Sequence, residues 1–342
     1  MGEFGLIARL QSRIAQEPAP PASSPFPSTD GHRELILGIG DDCAVWRRGS
    51  DIHLATTDTM VQGVHFSLET TPWLDLGWKA LAVNLSDIAA MAGIPDYALV
   101  TLGLPGEVDV DGIDSLYEGV LDCARSYHTF LAGGDIVSSP VWFVSVSLTG
   151  HPSAPVPYPN NVLLRSAARA GEVIAVTGQL GSSAAGLRLL QEGGHPEQHS
   201  LARAIQTHRR PVPRLDTGRL ALEAGVRCGM DVSDGLVGDL SKICAASGAG
   251  AEVHLPDLPV DPAVREAFPG AWPGLALSGG EDYELLMTAP AEVIDAVRER
   301  SDLPLTVIGR VVPGEGVTVT DERGRQVSLT ATGWDHLAAH LH

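Results

Sequence analysis

Residues 77–95 read GWKALAVNLSDIAAMAGIP. Apolar side chains recur at helical spacing through Trp78, Leu81, Leu85, Ile88 and Ala92, and Asp87 is surrounded by Val83, Ile88, Ala89, Ala90 and Met91, so the pattern predicts a helix buried on almost every side. A carboxylate there is costly unless it is paired, hydrogen-bonded or bound to a cation. Asn84, one turn away, is the structural alternative to a metal. Around this helix, ELILGIG (34–40), DIHLATTD (51–58), YALVTLGLP (97–105) and VWFVSVSLTG (141–150) read as strands of one sheet, with Trp142, Val144, Val146 and Leu148 sharing a face of the last. A second helix is expected over 113–127, through Ile113, Leu116, Val120, Ala124 and Tyr127.

The proline-rich HPSAPVPYPNN (151–161) reads as a domain linker, and EPAPPASSPFPSTDG (17–31) as a surface loop. Beyond 161 the mixture returns. Strands are expected at EVIAVTG (172–178), AEVHLP (251–256), YELLMTAP (283–290) and LTVIGRV (305–311), and helices at SSAAGLRLLQEG (182–193), around 213–224 and in SDGLVGDLSKICAASG (233–248). The terminal VTVTDERGRQVSL reads as a hairpin turning at Glu322 to Gly324. The expected fold is α/β in two domains, 1–150 and 151–342, which suits a chain of 342 residues.

The 23 Lys and Arg against 42 Asp and Glu leave a net charge of −19. That excess disfavours nucleic acid and anionic membrane surfaces as partners and favours metal cations. Lysine occurs only as Lys79 and Lys242, neither within GxxxxGK[ST], so phosphate cannot be handled by a Walker A loop. Cys43, Cys123, Cys228 and Cys244 are too dispersed for a zinc site or disulfide framework. With no apolar run of membrane-spanning length, a cytoplasmic protein is expected.

The chemistry concentrates in aspartates at strand ends and in glycine-rich loops: GIGDDCAVW with Asp41 and Asp42, ATTDTM with Asp58, LAGGDIV with Asp135, and MDVSDGL with Asp231 and Asp234. Each motif alone fits an ordinary turn or cap. Together, in a lysine-poor chain, they point to Mg²⁺ and phosphate, because that ion takes carboxylates, phosphate oxygens and water. GGEDYEL (279–285) carries Glu281 and Asp282, as a tight turn or as a carboxylate aimed at substrate, and His65 follows Asp58 by seven residues. Ser183 in GSSAAGL does not lie in a nucleophile elbow; the small residues there let a helix pack closely.

In order and spacing, GIGDDCAVW, TTDTMVQGVHF, WKALAVNLSDIAAMAG, GGDIVSSP, MDVSDGLVGDL and ALSGGEDYELL resemble the thiamine-monophosphate kinase family. Its superfamily also holds aminoimidazole ribonucleotide synthetase, selenophosphate synthetase and a hydrogenase maturation factor. The likeness runs from about Gly2 to Trp334; the departures are the 17–31 insertion and Ile136, where many members carry threonine. The resemblance implies direct in-line transfer of the γ-phosphoryl group of ATP to thiamine monophosphate, giving thiamine diphosphate and ADP. It implies Mg²⁺ held by Asp42, Thr56, Thr57, Asp58, Asp87, Asp135, Asp231 and Asp234, with Asp58, Asp87, Asp135 and Asp234 central to catalysis. Tyr117, Gly134, Asp135, Arg165 and Ser233 would contact ATP, and His65, Glu281 and Trp334 thiamine monophosphate, the Trp334 ring stacking on a heterocycle. It further implies a homodimer whose N-terminal mixed sheets form a barrel, the N-terminal domain binding ATP and Mg²⁺ and the C-terminal domain completing the cleft. Aminoimidazole ribonucleotide synthetase, a ligase on the same fold, is not expected to carry this SDGL and GGEDYEL pair.

Overall fold

The computed structural model of the chain describes residues 2–16, 33–106, 109–193 and 201–328. Helix α1 (Glu3–Ala15) precedes β1 (Arg33–Leu37), β2 (Ala44–Arg48), β3 (Asp51–Val61), α2 (Trp73–Ala90), β4 (Gly93–Leu104), α3 (Val110–Ser126), β5 (Phe130–Ser138) and β6 (Phe143–Pro152). The strands form one mixed sheet in the order β1-β2-β3-β6-β4-β5, in which only β4 and β5 run parallel. That parallel pair needs a crossover, and α3 supplies it. Its first turn is closed by Asp109, whose carboxylate accepts the Gly112 N–H at 3.0 Å.

Helices α2 and α3 pack unusually close because glycine sits at both crossing points. A Cβ on Gly77 would lie 1.9 Å from the Leu116 carbonyl oxygen, and one on Gly119 would lie 1.9 Å from that of Leu74. Leu81, Leu85 and Ile88 of α2 then fill the core against Leu54, Leu102, Val146 and Leu148 of the sheet. The helix begins at Trp73, a turn and a half before the apolar repeat becomes visible, with Pro72 at its N-cap.

The second half comprises β7 (Val173–Thr177), α4 (Ser182–Gln191), α5 (Ala202–Arg209), α6 (Leu215–Ala224), β8 (Cys228–Asp231), α7 (Leu236–Ser247), β9 (Gly250–His254), α8 (Pro262–Ala267), α9 (Trp272–Ser278), β10 (Leu285–Ala289), α10 (Ala291–Arg300), β11 (Leu305–Val312) and β12 (Gly316–Thr320). Its sheet runs β12-β9-β11-β7-β10-β8, parallel only between β9 and β12. All five residues of β10 are buried, as expected of a strand covered on both faces. The fold is thus α/β, with one mixed sheet and its helices in each half.

Several expectations change in detail. LAGGDIVSS, which reads as a glycine-rich loop, is strand β5 at the edge of the first sheet, and AVWRR adds β2. The C-terminal reversal at 321–325 is held by Asp321, whose carboxylate accepts the Arg323 and Arg325 N–H groups at 2.8 and 2.9 Å, and among the described residues the return pairs antiparallel with β12 at Thr320–Gln326. All four cysteines are buried free thiols. No described helix is long and apolar enough to cross a membrane. The 17–31 segment and Trp334 lie outside the described residues.

Helix α2 belongs to both halves. Its far side meets α6, where a Cβ on Gly218 would lie 2.3 Å from the Ala89 carbonyl oxygen, and its Ser86 hydroxyl donates to Asp231 at the end of β8 at 2.5 Å.

Candidate active site

Lys79, Val83 and Asp87 are spaced four apart on α2 and therefore share one face. Val83 and Asp87 line a cleft of about 520 Å³ between the two halves, together with Asp58, His65, Asp231, Ser233, Asp234 and Glu281. Carboxylate oxygens of Asp87 and Asp231, which line it, and of Asp42 beside them all lie within 4.8 Å of one another. They come from three places: the turn before β2, helix α2, and the last residue of β8.

This cluster carries more negative charge than its surroundings balance. Burial first, then the charges of Asp58, Asp231 and Asp42, push the Asp87 carboxyl well above the usual carboxylate range. Asp231 is raised by burial and then by Asp42, and Asp41 is raised to about 7 by the same pair of causes. The protein offsets this only in part. Thr56 donates to Asp87, and the Arg165 guanidinium pairs with Asp42, its Nε at 3.3 Å, while the Arg165 N–H reaches Asp41 at 3.1 Å. Three carboxylates within reach of one point, two of them raised by burial and by their neighbours' charge, fit a hard divalent cation, which supplies the missing positive charge.

Asn84 does not partner Asp87. Its Oδ1 accepts the Asp58 N–H at 3.1 Å and its Nδ2 donates to the Ala80 carbonyl at 3.0 Å, so it clamps β3 onto α2 and fixes where Asp58 stands. Strand alternation separates the two threonines before it. Thr56 faces α2, whereas the Thr57 hydroxyl donates to Val146 O at 3.0 Å, on the opposite side of the sheet and beside Ser147. The Thr57 hydroxyl is therefore turned away from Asp87 and α2.

The SDGL loop enters α7 through Gly235 at φ 108°, a backbone conformation suited to glycine. Asp239 ties it down by accepting the Ser233 and Asp234 N–H groups, each at 3.0 Å. Lys242 Nζ sits 2.6 Å from Asp234 and 2.8 Å from Asp239. Both lysines of the chain therefore stand at this cleft, for Lys79 Nζ lies 2.9 Å from Glu281 Oε1. The sequence reading excluded a P-loop lysine but gave neither residue a role.

GGEDYEL folds as a strap with Glu281 and Tyr283 at φ 65° and 51°. Such left-handed non-glycine residues cost of order 1–3 kcal/mol each and persist only where their surroundings dictate them. Here the Glu281 and Tyr283 N–H groups donate to Ser233 O at 2.7 Å and Val232 O at 2.9 Å. The twist sends the two acids apart. Asp282 points to the start of α4 and accepts the Gly181 and Ser183 N–H groups at 2.6 and 2.9 Å, burial raising it to about 7. Glu281 faces the cleft; burial pushes it up, but the Lys79 charge and then the His208 hydrogen bond outweigh this and leave its pKa at about 2. His65 lines the same cleft, its Nδ1 accepting the Val61 N–H at 3.0 Å, which puts the ring proton on Nε2.

Tyr117, Gly134 and Asp135 are gathered elsewhere, around a hollow of about 590 Å³ between α3 and edge strand β5. Gly134 is required there, since a Cβ would lie 1.7 Å from Val100 O of β4. Asp135 accepts the Ile136 N–H at 2.9 Å. Within one chain, Asp135 is not among the three clustered carboxylates.

Residues 40–151 match the AIR synthase related protein N-terminal domain and residues 169–322 the corresponding C-terminal domain. The chain is 39% identical over 292 residues to thiamine-monophosphate kinase of Bacillus subtilis, covering 83% of this chain and 88% of that one. It is 37% identical over 344 residues to the Escherichia coli K12 enzyme of that name, covering 98% of each. The solved structure of AaThiL complexed with AMPPCP and TMP superposes with a TM-score of 0.81 at 34% identity, over 98% of this chain and 97% of that one. With its two AIR synthase related domains, the chain belongs to the thiamine-monophosphate kinase family.

Proposed function

We propose that the protein transfers the γ-phosphoryl group of ATP to the phosphate of thiamine monophosphate, giving thiamine diphosphate and ADP. The observation that carries this reading is the Asp42–Asp87–Asp231 cluster, short of positive charge and with two of its members lining a cleft, in a chain of this family. Phosphoryl transfer needs positioning and charge neutralisation more than covalent chemistry. Mg²⁺ bound there would neutralise phosphate oxygens and hold donor and acceptor together.

Asp42, Asp87 and Asp231 would hold the metal, with Asp58, Asp234 and Asp135 joining through further ions or water and Thr56 and Thr57 completing the set. Thr56 orients the Asp87 carboxylate by its hydroxyl donation, and Ser86 does the same for Asp231. Tyr117, Gly134, Arg165 and Ser233 would take ATP, Arg165 exchanging its carboxylate partners for phosphate oxygens. His65, Glu281 and Trp334 would face thiamine monophosphate, Glu281 as a carboxylate suited to a cationic thiazolium and an aminopyrimidine.

Residues 1–150 would then form the ATP- and Mg²⁺-binding, dimerising part and residues 151–342 the part that closes the cleft. A homodimer is supported by the outer face of the first sheet, where Tyr97, Leu99 and Phe130 are 49–69% exposed. The four buried free thiols fit a reducing, cytoplasmic compartment. Purified protein with ATP and Mg²⁺ should convert thiamine monophosphate to thiamine diphosphate and leave free thiamine untouched, as followed by chromatography. Turnover of free thiamine, or only of a purine ribonucleotide, would overturn the reading.

A further inference from the structure

Lys79 is the largest fully buried side chain in the described structure, at 0% exposure. Burying an ammonium is expensive, and replacing a buried ion pair by apolar groups of similar shape is commonly neutral or stabilising. A methylene chain ending in a charge is therefore a poor way to fill the centre of α2. Its Nζ makes no hydrogen bond of good geometry among the described residues; what it has is the ion pair with Glu281 at 2.9 Å, arriving from the core side. The second Glu281 oxygen lies 3.3 Å from His208 Nδ1, and that nitrogen is 3.1 Å from the Ser183 hydroxyl. Lys79 of α2 and His208 of α5 thus meet one carboxylate, with Ser183 of α4 behind His208, and the Glu281 backbone is already held at φ 65°. The Glu281 side chain keeps 27% of its surface, and it lines the cleft.

We propose that Lys79 is a positioning residue for the phosphate acceptor: its ion pair fixes the Glu281 carboxylate, with His208 on the other oxygen, so that the carboxylate meets the cationic heterocycle of the substrate. The inference rests on the reading of Glu281 as the substrate-facing carboxylate. It separates substrate placement from stability. Lys79→Met leaves Glu281 able to hydrate through the cleft, whereas Glu281→Gln strands a fully buried ammonium.

The test is steady-state kinetics with thiamine monophosphate and ATP varied separately, on wild type, K79M, E281Q and K79M/E281Q, with thermal melts of each. The KM for thiamine monophosphate should rise about tenfold in K79M, a coupling of ~1.4 kcal/mol, with the KM for ATP unchanged. K79M/E281Q should be no worse than E281Q in that KM, because both changes remove one function. E281Q should melt lower than K79M, and the double variant should regain part of the loss. If K79M does not fold, the comparison of K79M/E281Q with E281Q decides alone. An unchanged KM for thiamine monophosphate in folded K79M, a parallel rise for ATP, or additive effects in the double variant would overturn the inference. A wild type that does not turn over thiamine monophosphate would overturn the site reading and the inference together.

Discussion

The two ends of the cleft treat charge in opposite ways. At the Asp42–Asp87–Asp231 end, carboxylates crowd within 4.8 Å, burial and neighbouring charge raise Asp87 and Asp231, and Arg165 gives partial relief. At the Glu281 end, one carboxylate is met by Lys79 and His208 and its pKa falls to about 2. The first end is built around something the chain itself does not provide, and the second is finished before any ligand arrives. Crowded like charge marks where a cation belongs; balanced charge marks where the protein has already aimed a group.

The largest test of that contrast removes one charge from the crowded end. Asp87→Asn keeps shape and removes a charge, so kcat should fall about 10²-fold or more, the loss of a few kcal/mol of electrostatic stabilisation. Without added metal the same variant should melt higher than wild type, since it no longer buries that charge. Activity within a few-fold of wild type would make Asp87 a structural residue.

The pH dependence of stability should divide along the same line. Asp41 and Asp282, raised to about 7, and Asp239, raised by burial to about 6, bind more protons folded than unfolded above their ordinary 3.8. Their contribution is complete below about pH 4 and is lost as pH rises to about 7. Glu281 acts in reverse: its contribution is present above its ordinary 4.5 and disappears as pH falls towards 2. Thermal melts in EDTA should therefore decline between pH 5 and 7.5, and Mg²⁺ should flatten the part of the decline that comes from the clustered Asp87 and Asp231, which burial also raises. A decline equally steep with Mg²⁺ would mean that the cluster holds no cation.

The smallest expected effect concerns a residue beyond the described structure. Trp334→Ala should weaken thiamine monophosphate binding by about 1–2 kcal/mol, the scale of a stacked aromatic contact, and leave ATP affinity unchanged in calorimetric titration. Equal losses for both ligands would make it a packing residue.

What the sequence made legible follows distance along the chain. Helix α2 and its half-buried Asp87 are readable because a 3.6-residue period and a carboxylate among apolar neighbours are local facts. The edge strand β5 was not, because Gly133, Gly134 and Asp135 carry turn chemistry, and the pairing with β4 that overrides it is tertiary. Asn84, one turn from Asp87, reads as the structural alternative to a metal, yet β3 passes alongside and offers each a better partner, the Asp58 N–H and the Thr56 hydroxyl. The pairing of Lys79 and His208 with Glu281 has no local signal, since Glu281 lies far along the chain from both. A lysine inside so apolar a helix was the one clue, because such a charge requires a counter-charge somewhere.

The most direct test of the account is ³¹P NMR of EDTA-dialysed protein with ATP and thiamine monophosphate. Signals of thiamine diphosphate and ADP should be absent at first, appear in equal amounts once Mg²⁺ is added, and stay absent in Asp87→Asn on the same timescale. Equal rates with and without Mg²⁺, or ADP accompanied by inorganic phosphate in place of thiamine diphosphate, would contradict it.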